Sequence, residues 1–429
     1  MKKLVLICAA IAALSLVSCK KETGPKIVDV NVSFTSGNEV LVVEGIKINF
    51  KDANATEFSF VSDAQGKVLA QLPEGNYSWT AYGRVTKDGN VVKCNGASKA
   101  PLAVAVGMAP VSFELNVVAS SPIIIKELYN GGFTSATEGK TKSGTDGYVV
   151  LYNNTAEAVD ASDVVFCFGA PYNAGGNNKY YTDEKLLYEN ETWMPAYGAI
   201  WWFTGKVNIP AYSSLVVAVW GAIDHTKTYA ESVDLSKAEY YWMSNEGLTQ
   251  YNNAAYVCAD AISKDHYLTC YPYTMGNKWA LSIASPAFYI GKMDKAEADR
   301  ISKDSENYDK TMGTSAAFAC VKFPQASVLD AVEVFPESDV EGSHARIPSK
   351  INTGYVALTN YLGHTVYRNV DEEATKALPE NEGKLVTGYK NDPSGIDAEA
   401  SIKNGAHIIF MDTNNSSNDF HQREVASLK

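Results

Sequence analysis

The densest set of oxygen and nitrogen donors in this 429-residue chain lies near its end, in Asp412-Thr-Asn414-Asn415-Ser-Ser-Asn418-Asp419-Phe-His421-Gln-Arg423. Carboxylate and amide oxygens suit a hard cation such as calcium, and the same residue types offer sugars planar, bidentate hydrogen bonds. Asp412, Asn414, Asn415, Asp419 and His421 are therefore candidate ligand-binding residues. The competing reading carries more weight: Asx side chains cap turns and tie a tail loop to the body. A second set is aromatic, with Trp201-Trp202-Phe203, Tyr180-Tyr181, Tyr240-Tyr241-Trp242 and Tyr267, Tyr271 and Tyr273. Neighbours in a strand point to opposite faces, so one of Trp201 and Trp202 is expected at the surface, where it can stack on a sugar ring or a porphyrin. The ordinary use is packing, one ring in the core and the other over the sheet. Asp224-His225 and Asp265-His266 are isolated steps far apart in sequence, which read as everyday histidines and not as metal ligands.

Catalytic signatures are missing. No G-x-S-x-G elbow, H-E-x-x-H, phosphate-cradling glycine loop or EF-hand loop occurs, so no catalytic residue, metal or cofactor is assigned. Two carboxylates converging across a cleft leave no mark in sequence, and a hydrolase of that kind stands as an alternative. With 37 Lys and Arg against 49 Asp and Glu, the net charge is −12. Nucleic acid is not an expected partner, because phosphate binding needs a clustered basic surface.

The first residues give an address. Lys2 and Lys3 precede an apolar run from Leu4 to Val17 that is too short to span a bilayer of roughly 30 Å, and the run ends in Leu16-Val17-Ser18-Cys19. That ending resembles a bacterial lipobox. It implies a lipoprotein signal peptide over 1–18, lipidation of Cys19, a polar tether over 19–26 and a body fastened to the outer membrane. The tether carries one acid, Glu22, so the membrane face is left open. Of the mature thiols, Cys94, Cys167, Cys258, Cys270 and Cys320, none forms a C-x-x-C. A Cys258 to Cys270 bridge is allowed, although buried free thiols are the preferred reading.

The elements that must carry these residues read as strands. Over 27–119, period-two alternation (Ile46, Ile48, Phe50; Tyr77, Trp79, Ala81) is broken by turn signals such as Asp63-Ala-Gln-Gly66 and Pro73-Glu-Gly75-Asn, which predicts a small β-sandwich with one wet face per strand. Asp63-Ala-Gln-Gly66 followed by Leu72-Pro-Glu-Gly-Asn-Tyr77 resembles the carboxypeptidase-regulatory-like, prealbumin-type β-domains. This resemblance implies glycines in tight turns, a core tyrosine and a spacer role.

Ser120-Ser121-Pro122 marks a boundary, and a larger β-rich domain is expected over 122–429. Ile123-Ile-Ile-Lys-Glu127 and Gly147-Tyr-Val-Val-Leu-Tyr-Asn-Asn154 resemble the opening of lamin-tail-type immunoglobulin-like domains, with Val150 where those have Glu. Long loops and a few short helices complete the expected all-β fold. One helix lies over Asp397 to Asn404, with Asp397 as cap and Gly405 beyond its end. The charged stretch 292–310 is a surface helix or loop. Tyr367-Arg-Asn-Val-Asp371, Ala398-Glu-Ala-Ser-Ile-Lys-Asn-Gly405, the 412–423 string, Ile223-Asp-His-Thr226 and Ser232-Val-Asp-Leu-Ser-Lys-Ala238 resemble a family of Bacteroidota lipoproteins, domain-of-unknown-function family 4876. What this resemblance implies is an outer-membrane lipoprotein working beside TonB-dependent transporters. The expected function is capture of a nutrient or partner for such a transporter, with the ligand unspecified. A structural envelope lipoprotein is the rival.

Overall fold

A computed structural model describes residues 25–429 apart from 88–89, 99, 143–144, 184, 245–255, 274–280 and 314–317. Cys19 and its signal sequence lie outside the described residues. The fold is all-β, as expected, with four short α-helices among the described residues.

The first ten strands are β1 (Ile27–Ser36), β2 (Glu39–Val40), β3 (Lys47–Asp52), β4 (Glu57–Val61), β5 (Lys67–Pro73), β6 (Gly75–Lys87), β7 (Asn90–Ala97), β8 (Leu102–Val104), β9 (Val111–Glu114) and β10 (Asn116–Ala119). They form two sheets. One has the order β2-β1-β5 with β9 beside β1, and the other β10-β7-β6-β3-β4 with β8 beside β6. Alternation decides which side chains face inward: Val28, Val30, Val32 and Phe34 of β1 are buried while their neighbours are not. They meet Ile48, Phe50, Tyr77, Trp79 and Phe113 in one core. Trp79 stacks on Phe113 with ring centroids 4.1 Å apart, a contact that contributes about 0.5–1.5 kcal/mol beyond its buried area. Gly66 is required by its turn, since its φ is +70° and a Cβ there would stand 2.3 Å from the carbonyl oxygen of Leu41. Tyr77 is buried and donates to the carbonyl of Pro73 at 2.9 Å.

The remainder is built on a twelve-stranded sheet. Its order is Val356–Leu358, Val328–Pro336, Ala287–Lys292, Val164–Phe168, Trp201–Phe203, Tyr267–Cys270, Tyr241–Met243, Ser214–Ala218, Tyr148–Asn153, Ile123–Tyr129, Thr365–Arg368 and Phe420–Arg423. Pairing is mostly antiparallel, with parallel neighbours around Tyr241–Met243 and between Val328–Pro336 and Val356–Leu358. Strands such as Ile123–Tyr129 and Tyr148–Asn153 are buried along their whole length, because loops and a second core around Tyr152, Tyr367 and Phe410 cover the sheet's other face. The sheet curls until its two ends meet. Asp330 of one end accepts a hydrogen bond from the amide of Ile125 at 2.6 Å, and the amide of Thr359 donates to Gln422 Oε1 at 2.5 Å.

Two buried clasps fix this domain. Arg346, fully enclosed, places Nε 2.9 Å and Nη2 2.6 Å from Glu333 Oε1, while its own amide donates to Oε2 at 2.7 Å and Nη1 donates to the carbonyl of Pro171 at 3.1 Å. Near the C-terminus, the amide and hydroxyl of Ser427 both donate to the buried carboxylate of Glu127, which also accepts from Tyr148 at 2.9 Å. Of the helices, α1 (Lys295–Lys303) is capped by Asp294 and buries Ala298 and Ile301, leaving Ala296 exposed. Next come α2 (Glu372–Lys376), α3 (Ala398–Lys403), with Asp397 accepting from Ala400 and Gly405 at φ +81°, and α4 (Ser416–Asp419). Cys94, Cys167, Cys258, Cys270 and Cys320 are all free thiols, so Cys258 and Cys270 form no bridge.

Candidate functional site

Strand alternation in β7 sends Cys94 into the sandwich core and turns Lys93 and Asn95 outward. Those outward side chains are nevertheless buried, because the large domain covers that face of the sheet. Lys93 Nζ lies 3.0 Å from Asp412 Oδ1, Asn95 Nδ2 donates to the carbonyl of Asn414 at 2.7 Å, and Ser120 Oγ donates to Asp412 Oδ2 at 3.2 Å. Asp412 thus joins the two halves of the chain.

Arg368 stands behind it. Its Nε donates to the carbonyl of Ile125 at 2.6 Å, Nη1 to that of Met411 at 2.8 Å, and Nη2 to Asp330, while Nη1 lies 3.7 Å from both Asp412 and Asp419. The guanidinium also lies over Phe420, 4.2 Å from its ring centroid. Asp419 accepts from the amide and hydroxyl of Thr413 at 2.7–3.0 Å and from the amide of Asn415 at 3.3 Å. Two cations, Lys93 and Arg368, therefore share a dry site with three carboxylates, Asp330, Asp412 and Asp419. Burial raises the carboxyl of Asp419 to about 6, with Arg368 opposing and Asp412 reinforcing the rise. Burial also raises Asp330, against the pull of Arg368. One proton is the cheapest way for such a site to shed its surplus charge.

Above this network opens a cleft of about 750 Å³. Glu114 to Ala119 line one wall, Thr192, Gln325, Ala326, Val328 to Asp330 and Ile351 the other, and the Ser120-Ser121-Pro122 connection closes one side. Gln325 is 5% exposed; its amide nitrogen donates to the carbonyls of Tyr188 at 3.0 Å and Trp193 at 2.7 Å, and its Oε1 has no partner among the described residues.

The residues singled out from sequence fall in different places. Asp412 and Asp419 are inside the ion network, Asn415 caps α4 by accepting from the amide of Ser417, and only Asn414 reaches the cleft. The cluster therefore ties the tail to the body and offers no open ligand surface. His421 Nδ1 donates to Asn369 Oδ1 at 2.6 Å, the acceptor being fixed because Asn369 Nδ2 donates to the carbonyl of Asn418. Burial, with Arg423 nearby, depresses His421 to about 4, so it is neutral. Trp201 and Trp202 are 0% and 7% exposed, and neither presents a stacking face. Their strand sits mid-sheet with both faces covered, which corrects the expectation of one exposed ring. Asp224 caps a 3-10 turn and His266 stacks on Tyr241 at 4.4 Å, away from any metal-ligand group among the described residues. Lys93, Arg368, Asp330 and Gln325 were not legible as site residues. Each is an unremarkable residue in its own string, and only folding brings it to the others.

A family model described as protein of unknown function (DUF4876) matches residues 212–427. The chain belongs to this family. It is similar to the crystal structure of a DUF4876 family protein from Bacteroides thetaiotaomicron at 19% identity, over 93% of this chain and 96% of that one, with a TM-score of 0.53. This likeness concerns the fold. A putative adhesin from Bacteroides ovatus aligns over 32% of this chain and 66% of its own at 10% identity, with a TM-score of 0.19. No curated protein matches the chain.

Proposed function

We propose that this protein is a lipid-anchored binding protein of the outer membrane, which holds a ligand or partner in the cleft between its N-terminal sandwich and its large domain and presents it to a TonB-dependent receptor. The observation that carries this reading is the cleft itself. It is about 750 Å³, within the range of ligand sites, and its two walls come from parts of the chain bolted together by the buried Lys93–Asp412 ion pair and the hydrogen bond from Asn95 to Asn414. A cleft whose walls are fixed in this way is preorganised for binding. Of its two acids, Asp330 is engaged by Arg368 and by the amides of Ile125 and Ala331, which favours binding over carboxylate-pair hydrolysis. The anchor rests on Leu16-Val-Ser-Cys19. Among the described residues no helix is long and apolar enough to cross a membrane.

A photo-crosslinking residue in place of exposed Ala326, on the cleft rim, is expected to trap an outer-membrane receptor or its cargo in living cells, whereas the same residue at distant Leu362 is not. In parallel, Cys19→Ser is expected to release the protein from the membrane fraction. Equal or absent adducts at both positions would refute the cleft as the site, and unchanged fractionation would refute the anchor.

A further inference from the structure

We infer that β10 is a docking edge, and that the cleft takes an extended polypeptide segment of a partner, which adds to the sheet as one more strand. The inference deepens the binding role proposed for the cleft and rests on it. β10 ends its sheet and pairs only with β7 among the described residues. The amide of Ser120 donates to the carbonyl of Val91 at 3.2 Å, which sets the phase of the antiparallel ladder. Residues 116, 118 and 120 exchange hydrogen bonds with β7, so the amides and carbonyls of Val117 and Ala119 point to the free edge. That edge lines the cleft along its whole length.

Natural sheets blunt such edges with proline, charge or a bulge. Asn116-Val117-Val118-Ala119 has none of these, whereas β4, which ends the same sheet on its other side, begins with the charged Glu57 paired to Lys51. The opposite wall has the chemistry of a strand's other neighbour. Val328, Leu329 and Ile351 offer half-buried apolar side chains, and Leu329 is the extra residue where the register of its strand slips against Ala287–Lys292. Charge narrows the occupant further. Lys93 and Lys350 match Glu114 and Asp330 in number across the lining, and the surplus carboxylate lies beneath it, so the cleft is no cationic cradle for a phosphate or a nucleic acid. A main chain with apolar side chains at alternate positions meets every one of these features.

Selection of random linear peptides on the mature chain is expected to enrich sequences with an apolar residue at every second position. On binding them, the amides of Val117 and Ala119 should gain protection from hydrogen exchange. Ala119→Pro deletes an outward amide but leaves the ladder to β7 intact, since proline is tolerated on an edge strand. It should weaken the enriched peptides by about tenfold or more with unchanged thermal unfolding, while Ala119→Thr retains binding. Failure to enrich, equal binding by Ala119→Pro, protection located elsewhere, or self-association through this edge would each overturn the inference. If Ala326 still gives adducts in cells while no peptide is enriched, only the strand-addition inference falls; if the adducts vanish too, the cleft reading falls with it.

Discussion

Arg346 and Arg368 are both sealed inside the large domain, and the two regions around them resolve the same electrostatic problem differently. Arg346 meets one carboxylate, Glu333, through paired hydrogen bonds, and carbonyls take up its remaining donors. The charges balance and the site faces no opening. Arg368 meets three carboxylates with only Lys93 to help, at the junction of both ends of the large sheet, the N-terminal sandwich and the floor of the cleft. A balanced pair makes a rigid local lock. An unbalanced cluster makes a joint whose strength depends on a proton.

The largest effects should come from removing the arginines. Arg346→Met strands one buried carboxylate and is expected to cost about 3–5 kcal/mol in urea unfolding, most of it regained in the double variant Arg346→Met with Glu333→Met. Arg368→Met strands Asp330 and Asp419 and leaves Asp412 to Lys93 alone, and it should cost more, with no single second replacement restoring it. An Arg346 variant as damaging as the Arg368 variant would break the contrast.

A smaller effect separates the two by pH. Asp419 titrates near 6 in the folded protein, above its ordinary 3.8. A carboxyl whose folded pKa is raised contributes its full stabilisation below the unfolded value and loses it as pH climbs through the folded one, so stability should decline between about pH 4 and 6, by about 3 kcal/mol from this group. Asp419→Asn should flatten the profile across that window, whatever its effect on absolute stability. Parallel profiles for the two proteins would show that the surplus charge is settled elsewhere.

The smallest effect calibrates the others. Lys376 and Glu372 form an exposed pair one turn apart on α2, and Lys376→Ala should change the unfolding free energy by only about 0.3–0.5 kcal/mol.

How much could be read in advance follows the same division. The sandwich was legible because its longer strands alternate buried and exposed residues, and β1 and β5 spell this out. The large domain was less so. Trp201-Trp202-Phe203 obeys the alternation rule, but both faces of its strand are covered, so the rule no longer sorts inside from outside. The 412–423 string announced itself as polar and tied down, yet the partner that explains Asp412 stands 319 residues away in Lys93. Arg368 reads in sequence as one more arginine after a tyrosine. Long-range pairing of that kind has no local period, and neither does a strand edge left free by the order in which strands assemble.

The clasp of Ser427 on Glu127 bears on how the molecule is made. Glu127 and its hydrogen-bond donor Ser427 stand 300 residues apart, and Asp412 meets Lys93 across 319. The sandwich has a core of its own and can collapse first, but it has nothing to bolt onto until the segment bearing Asp412 and Asn414 has found its place. Assembly therefore closes on a late, long-range step, and a chain cut before Asp412 would keep its sandwich and lose the bolt.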